Sequence, residues 1–161
     1  MRTLFIITLV LMSLVSFPSW GLTWDELVTR DGLHYKKFTD LPFTGKMEGR
    51  SNGSFKNGMR EGLWVIYHKN GQLGSKGDFK NDKHEGFWEY YYPSGQLSRK
   101  GNYRNGIQEG YWESYWDNGQ LISKGEYKNG REEGYWVHYN EDGSVDKKYS
   151  GTFKDGVKVS D

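Results

Sequence analysis

Four histidines, His34, His68, His84 and His138, are the first residues to weigh for chemistry, since imidazole serves both acid–base catalysis and metal ligation. They occupy different positions relative to the Gly and Trp landmarks around them, and the chain has no cysteine to complete a ligand set. The sequence therefore predicts no metal centre and no cofactor. The 21 acidic residues could in principle supply a glycosidase pair. However, Glu61, Glu85, Glu109 and Glu133 recur in one register beside a turn. A residue repeated four times behaves as a structural position, whereas an active site is singular. Glycine is abundant, yet no Gly run has the strand–loop–helix context that phosphate cradles need. The expectation is a protein without enzymatic activity.

The elements behind those residues are repeats. Gly62, Gly86, Gly110 and Gly134 stand 24 residues apart, as do Trp64, Trp88, Trp112 and Trp136, and Tyr67, Tyr91, Tyr115 and Tyr139. Gly71, Gly95, Gly119 and Gly143 keep the same step, and so do Lys76, Lys100, Lys124 and Lys148. A partial fifth copy, Gly151 to Gly156, is displaced by two residues through the insertion of Tyr149-Ser150. Such a period marks an array in which each unit buries its face against its neighbours.

Within a unit the pattern is that of a hairpin. Asn70-Gly71, Ser94-Gly95, Asn118-Gly119 and Asp142-Gly143 are expected to close two-residue type I′ turns. A second corner, Asn57-Gly58 and its copies, links one unit to the next, with Asp82 replacing Gly once. The predicted fold is all-β, a single-layer antiparallel meander of repeated hairpins forming an open solenoid. A short helix is expected to begin at Thr23-Trp24-Asp25-Glu26, which has the form of a capping box.

Counting outward from a two-residue Ser94-Gly95 turn places Leu97 opposite Tyr92, Arg99 opposite Tyr90, Lys100 opposite Glu89 and Gly101 opposite Trp88. The same count sets Trp64 against Gly77 and Trp112 against Gly125. Trp64, Trp88, Trp112 and Trp136 with Gly77, Gly101 and Gly125 are therefore the expected repeat core, each indole covering a strand glycine. Trp88, Leu97 and Tyr103 should share the buried face. The opposite face should carry ion pairs Glu89–Lys100 and Glu113–Lys124, and an aromatic surface of Tyr67, Phe87, Tyr91, Tyr111, Tyr115, Tyr135 and Tyr139. Two arrangements stay open for the Tyr column: it points outward as a binding surface, or a bulge or curl turns it inward.

Residues 1–21 carry the pattern of a cleaved signal peptide: Arg2, an uncharged stretch from Leu4 to Val15, and small residues at Ser19 and Gly21. The apolar stretch is shorter than the roughly 20 residues of a spanning helix. Removing Arg2 leaves 21 basic against 21 acidic residues, without the basic footprint of a nucleic-acid binder. The expected organisation is a leader (1–21), an N-terminal cap (22–52), four repeats (53–150) and a partial repeat with C-terminal cap (151–161). Gly49 to Gly53 is read as a polar connector, and Val157 to Asp161 as a short charged terminus that blunts the edge strand. The expected location is periplasmic or secreted.

The units from Gly86-Phe87-Trp88-Glu89-Tyr90-Tyr91 through Ser94-Gly95-Gln96-Leu97 to Lys100-Gly101-Asn102-Tyr103-Arg104-Asn105-Gly106 resemble the bacterial variant of the MORN repeat, as in YwqK-type proteins. The opening Asp31-Gly32-Leu33-His34-Tyr35 and Pro42-Phe43-Thr44-Gly45 resemble the start of such proteins. The resemblance implies a non-enzymatic hairpin array used in protein association, or in some relatives at phospholipid. Some bacterial members carry an antitoxin label, which fits an exported chain badly. Three functions are thus in view: a scaffold docking another cell-envelope protein, a glycan- or choline-binding surface module, and an antitoxin-like binder.

Overall fold

The computed structural model describes residues 21–161. The expected leader lies almost wholly outside the described residues. A single turn of 3₁₀ helix spans Trp24–Glu26, where the Glu26 carboxylate accepts from the Thr23 backbone N–H at 2.9 Å. Then β1 (Leu27–Arg30) and β2 (Leu33–Lys36) form a separate two-stranded hairpin. The remaining strands form one antiparallel meander in chain order. They are β3 (Gly45–Met47), β4 (Ser51–Lys56), β5 (Met59–Tyr67), β6 (Leu73–Lys80), β7 (Lys83–Tyr91), β8 (Leu97–Arg104), β9 (Ile107–Tyr115), β10 (Leu121–Lys128), β11 (Arg131–His138), β12 (Gly151–Lys154) and β13 (Val157–Ser160). Each strand pairs with its sequence neighbours, as a 24-residue hairpin array requires. Gly53 lies inside β4, so the expected connector from Gly49 to Gly53 is half strand.

The two-residue closure falls at the corners that link the units. Asn57-Gly58, Asn105-Gly106 and Asn129-Gly130 have φ of 51/79°, 53/83° and 52/76°, both residues left-handed, and close in two residues as type I′ turns. Asn81-Asp82 does the same without glycine, because the Asp82 carboxylate accepts from the Arg60 backbone N–H at 3.1 Å and pairs with its guanidinium. At the corners of Gly71, Gly95, Gly119 and Gly143 only the glycine is left-handed. There Gly95 N–H reaches the Tyr92 carbonyl and Tyr92 N–H the Gln96 carbonyl, enclosing the three residues Pro93-Ser94-Gly95. Pro93 fixes the first turn position, and Ser94 Oγ accepts from Gln96 N–H at 3.2 Å. The two-residue closure expected here is therefore incorrect.

The register survives that correction because a bulge compensates for it. Trp88 pairs with Gly101, Glu89 with Lys100 and Tyr90 with Arg99, as counted, but Tyr91 then pairs with Leu97 and Ser98 is extra. Leu97 consequently leaves the position opposite Tyr92 and does not join the buried cluster.

That cluster is a ladder of rings on one face of the sheet. Trp64, Trp88, Trp112 and Trp136 are all buried. They alternate with Phe55, Phe79, Tyr103 and Tyr127, and Phe79–Trp88, Tyr103–Trp112 and Tyr127–Trp136 meet edge-on at 5.0, 5.0 and 4.9 Å. Edge-to-face pairs contribute about 0.5–1.5 kcal/mol beyond their buried area. At the start of the array Trp24 and His34 close on Phe55 at 5.9 and 4.9 Å, so the β1–β2 hairpin covers the first rungs. At the end, the insertion is absorbed by Ser150, whose hydroxyl bonds both the N–H and the carbonyl of His138 and brings Gly151 back opposite Trp136.

Candidate binding face

The binding face is created by the strand bulge that orients the tryptophans. Gly86 has φ of 66°, and between Glu85 and Glu89 strand β7 holds two residues more than β6 does between Asp78 and Lys76. Gly62, Gly110 and Gly134 share this left-handed geometry, which accounts for that glycine column. The bend carries the indole back over the preceding unit. Trp88 registers with Gly101, yet its ring lies on Gly77. The rings of Trp64, Trp112 and Trp136 lie likewise on Gly53, Gly101 and Gly125, where an added Cβ would fall within 3.0 Å of the indole. Each indole N–H donates to the same upstream strand, Trp88 to the Asp78 carbonyl at 3.0 Å and Trp112 to that of Asn102 at 3.1 Å. The expected coverage of a glycine by each indole thus joins consecutive units instead of the two strands of one unit.

The same bend acts on the outer face. Glu89 pairs with Lys76 at 2.7 Å and Glu113 with Lys100 at 2.9 Å. The expected pairs Glu89–Lys100 and Glu113–Lys124 do not form, because the bulge turns each Glu toward the upstream Lys. Tyr115 donates to Glu113 Oε2 at 2.7 Å. Burial alone would raise the Glu113 pKa, but the hydrogen bonds from Lys100 and Tyr115 outweigh it and hold the carboxyl below its ordinary value. Burial first, and the neighbouring Glu second, push the Tyr91 and Tyr115 phenols up, so both are neutral at physiological pH.

The outer face thus has three tiers. Val65, Glu89, Glu113 and Val137 form the middle one, against Lys76, Lys100 and Lys124. Tyr67, Tyr91, Tyr115 and Tyr139 form the second and are half-buried. No bulge interrupts β7 between Trp88 and Tyr91, so Tyr91 shares the face of Glu89 opposite the indole. Lys100 and Lys124 lie 5.9 and 5.8 Å from the Tyr115 and Tyr139 ring centroids. Phe87, Tyr111 and Tyr135 form the third tier, at 50, 49 and 59 % exposure, and Leu63 joins them at 60 %. Neighbours in this row stand two strand spacings, about 10 Å, apart. Shallow depressions flank its ends, one against Leu63 and Val65, the other against Tyr135 and Val145. Leu63 was not among the expected surface residues, although its 24-residue step to Phe87 places it in that column.

Three consecutive units, residues 60–81, 85–105 and 108–129, match the family model of the MORN repeat variant. These three units are similar to MORN repeats. The family is a non-enzymatic one whose repeats are protein- and membrane-binding modules. No curated protein matches the chain.

The corners of these units carry the glutamates recognised as structural. Glu61, Glu85 and Glu109 accept from Asn81, Asn105 and Asn129 backbone N–H at 3.0, 2.8 and 3.0 Å, each capping the next type I′ turn. Glu133 does the same for Asp155 at 3.1 Å. The four histidines lie apart: His84 packs among Phe79, Trp88 and Tyr103, His34 packs beside Trp24, His68 bonds the Tyr91 carbonyl, and His138 stacks on Trp136. Among the described residues no group of three or more His, Cys, Asp or Glu side chains could hold a metal. No helix among them is long and apolar enough to cross a membrane, a statement that does not extend to β-barrels.

Proposed function

We propose that this chain is an exported, non-catalytic scaffold that docks another protein of the cell envelope on its outer face. The observation that carries the reading is the exposed row Leu63, Phe87, Tyr111 and Tyr135 on one face of the sheet, since exposed apolar rows rimmed by charge mark interaction surfaces. Export rests on the leader pattern of residues 1–21 and implies a periplasmic or secreted protein. It also weighs against an antitoxin role, which belongs in the cytoplasm. The test is a photo-crosslinking amino acid placed at Tyr111 and, as a control, at the corner residue Asn129, in cells of the source organism. Capture of one defined partner from Tyr111 and none from Asn129 supports the reading; equal capture from both, or none, refutes it.

The exposed rings of Phe87, Tyr111 and Tyr135 also favour a second reading, a glycan-binding module that stacks sugars on a ring row. A choline cage has less support, because the repeated indoles that would build it lie in the core. Calorimetric titration with cell-wall glycans distinguishes these readings: saturable heat abolished by Tyr111→Ala supports the glycan.

A further inference from the structure

The outer face has one break in its charge pairing. Lys76 and Lys100 each meet a glutamate of the following unit, but the equivalent partner of Lys124 is Val137. Among the described residues no carboxylate lies within ion-pair distance of Lys124. The Glu113 charge acts on Lys124, but its carboxylate is already held by Lys100 and Tyr115. The other groups facing the ammonium are the phenols of Tyr139 and Tyr111. Beyond Val137 lies a depression lined by the exposed Tyr135 and Val145 together with Lys147 and Ser150. Asp161 also lines it, but its carboxylate is taken by Lys158 at 2.7 Å.

A cation without a counter-charge, opposite a valine two residues from the exposed Tyr135 on the same strand, is complementary to a carboxylate flanked by apolar side chains. We propose that the face around Val137 docks a short acidic segment of the partner protein, one carboxylate taking the place on Lys124 that glutamate fills in the two preceding units. An adjoining apolar side chain rests on Tyr135 and Val145. This inference rests on the scaffold reading and assigns the docking point and its chemistry.

Val137→Glu tests it, because the substitution restores the pattern of Glu89 and Glu113 and supplies Lys124 with an internal partner. Random short peptides displayed on phage are selected against the full chain, with circular dichroism confirming that each variant is folded. The expected result is a consensus of Asp or Glu beside apolar residues. Its affinity should fall at least about tenfold in Val137→Glu and in Lys124→Gln, and stay unchanged in Lys76→Gln. A basic or neutral consensus, indifference to Val137→Glu, or no enrichment overturns the inference. In those cases crosslinking from Tyr111 still decides the broader scaffold reading. Binding to phosphatidylserine-containing vesicles that Val137→Glu abolishes, without peptide binding, overturns it in favour of a lipid headgroup.

Discussion

The Trp112 indole lies flat on Gly101 and donates its N–H to the carbonyl of Asn102, the very next residue of the same upstream strand. Trp64, Trp88 and Trp136 repeat this on Gly53, Gly77 and Gly125. Each unit thereby fastens itself to the one before, and a single sheet can bury its indoles without a second layer covering its whole length.

Glycines of the two classes respond differently to a methyl group. Gly101→Ala forces the Cβ into the Trp112 ring and should cost about 2–4 kcal/mol. Gly71→Ala meets nothing within 4 Å but must hold a φ of 85°, and should cost about 1 kcal/mol. Urea denaturation of both variants orders them.

Removing a corner cap is a smaller change. Glu109→Ala strips the acceptor from Asn129 N–H and should cost about 0.5–1.5 kcal/mol, with Glu109→Gln retaining most of the stability. Hydrogen exchange should show faster opening at Asn129 while other corners keep their protection.

The ladder was legible in the sequence because its residues are large, singular in type and fixed in period: Trp88 opposite Gly101 follows from counting alone. The corner chemistry misled that count. Asn70-Gly71 suits a type I′ turn locally, but Lys69, Pro93, Asp117 and Glu141 occupy the preceding position, and Pro93 enters only a type I turn followed by a left-handed glycine. The direction in which Trp88 and Glu89 lean was also hidden, since the Gly86 bulge is visible only as a positive φ, and a glycine can recur for several reasons. The exposed row was legible at Phe87, Tyr111 and Tyr135 and missed at Leu63, where the aromatic signal drops out and only the period remains.

Acid should weaken the array through its half-buried histidines. Burial first, and the nearby Arg60 and Arg99 guanidinium groups second, hold His84 below its ordinary value of 6.5. The unfolded chain therefore binds the proton more readily, so stability is full above pH 6.5 and is lost as pH falls below it. His34 is lowered in the same direction, mainly by burial. The His84→Phe variant should show a shallower loss between about pH 6.5 and 5, measured by urea denaturation across that range.

Glu132 has the opposite sign. Burial raises its pKa above the ordinary 4.5, so at neutral pH the charged carboxylate costs stability, and that cost shrinks as pH falls through the raised value and is gone below 4.5. Glu132→Gln should stabilise the protein by under about 1 kcal/mol at pH 7 and by nothing near pH 4.

A double-mutant cycle on Gly101 reads the upstream fastening most directly. Gly101→Ala is combined in turn with Trp112→Leu, which removes the ring lying on that glycine, and with Trp88→Leu, which removes the ring that merely shares its register. Coupling of more than about 1 kcal/mol to Trp112, with Trp88 additive within about 0.5 kcal/mol, is the predicted result. Coupling to Trp88 with additivity at Trp112 would contradict it.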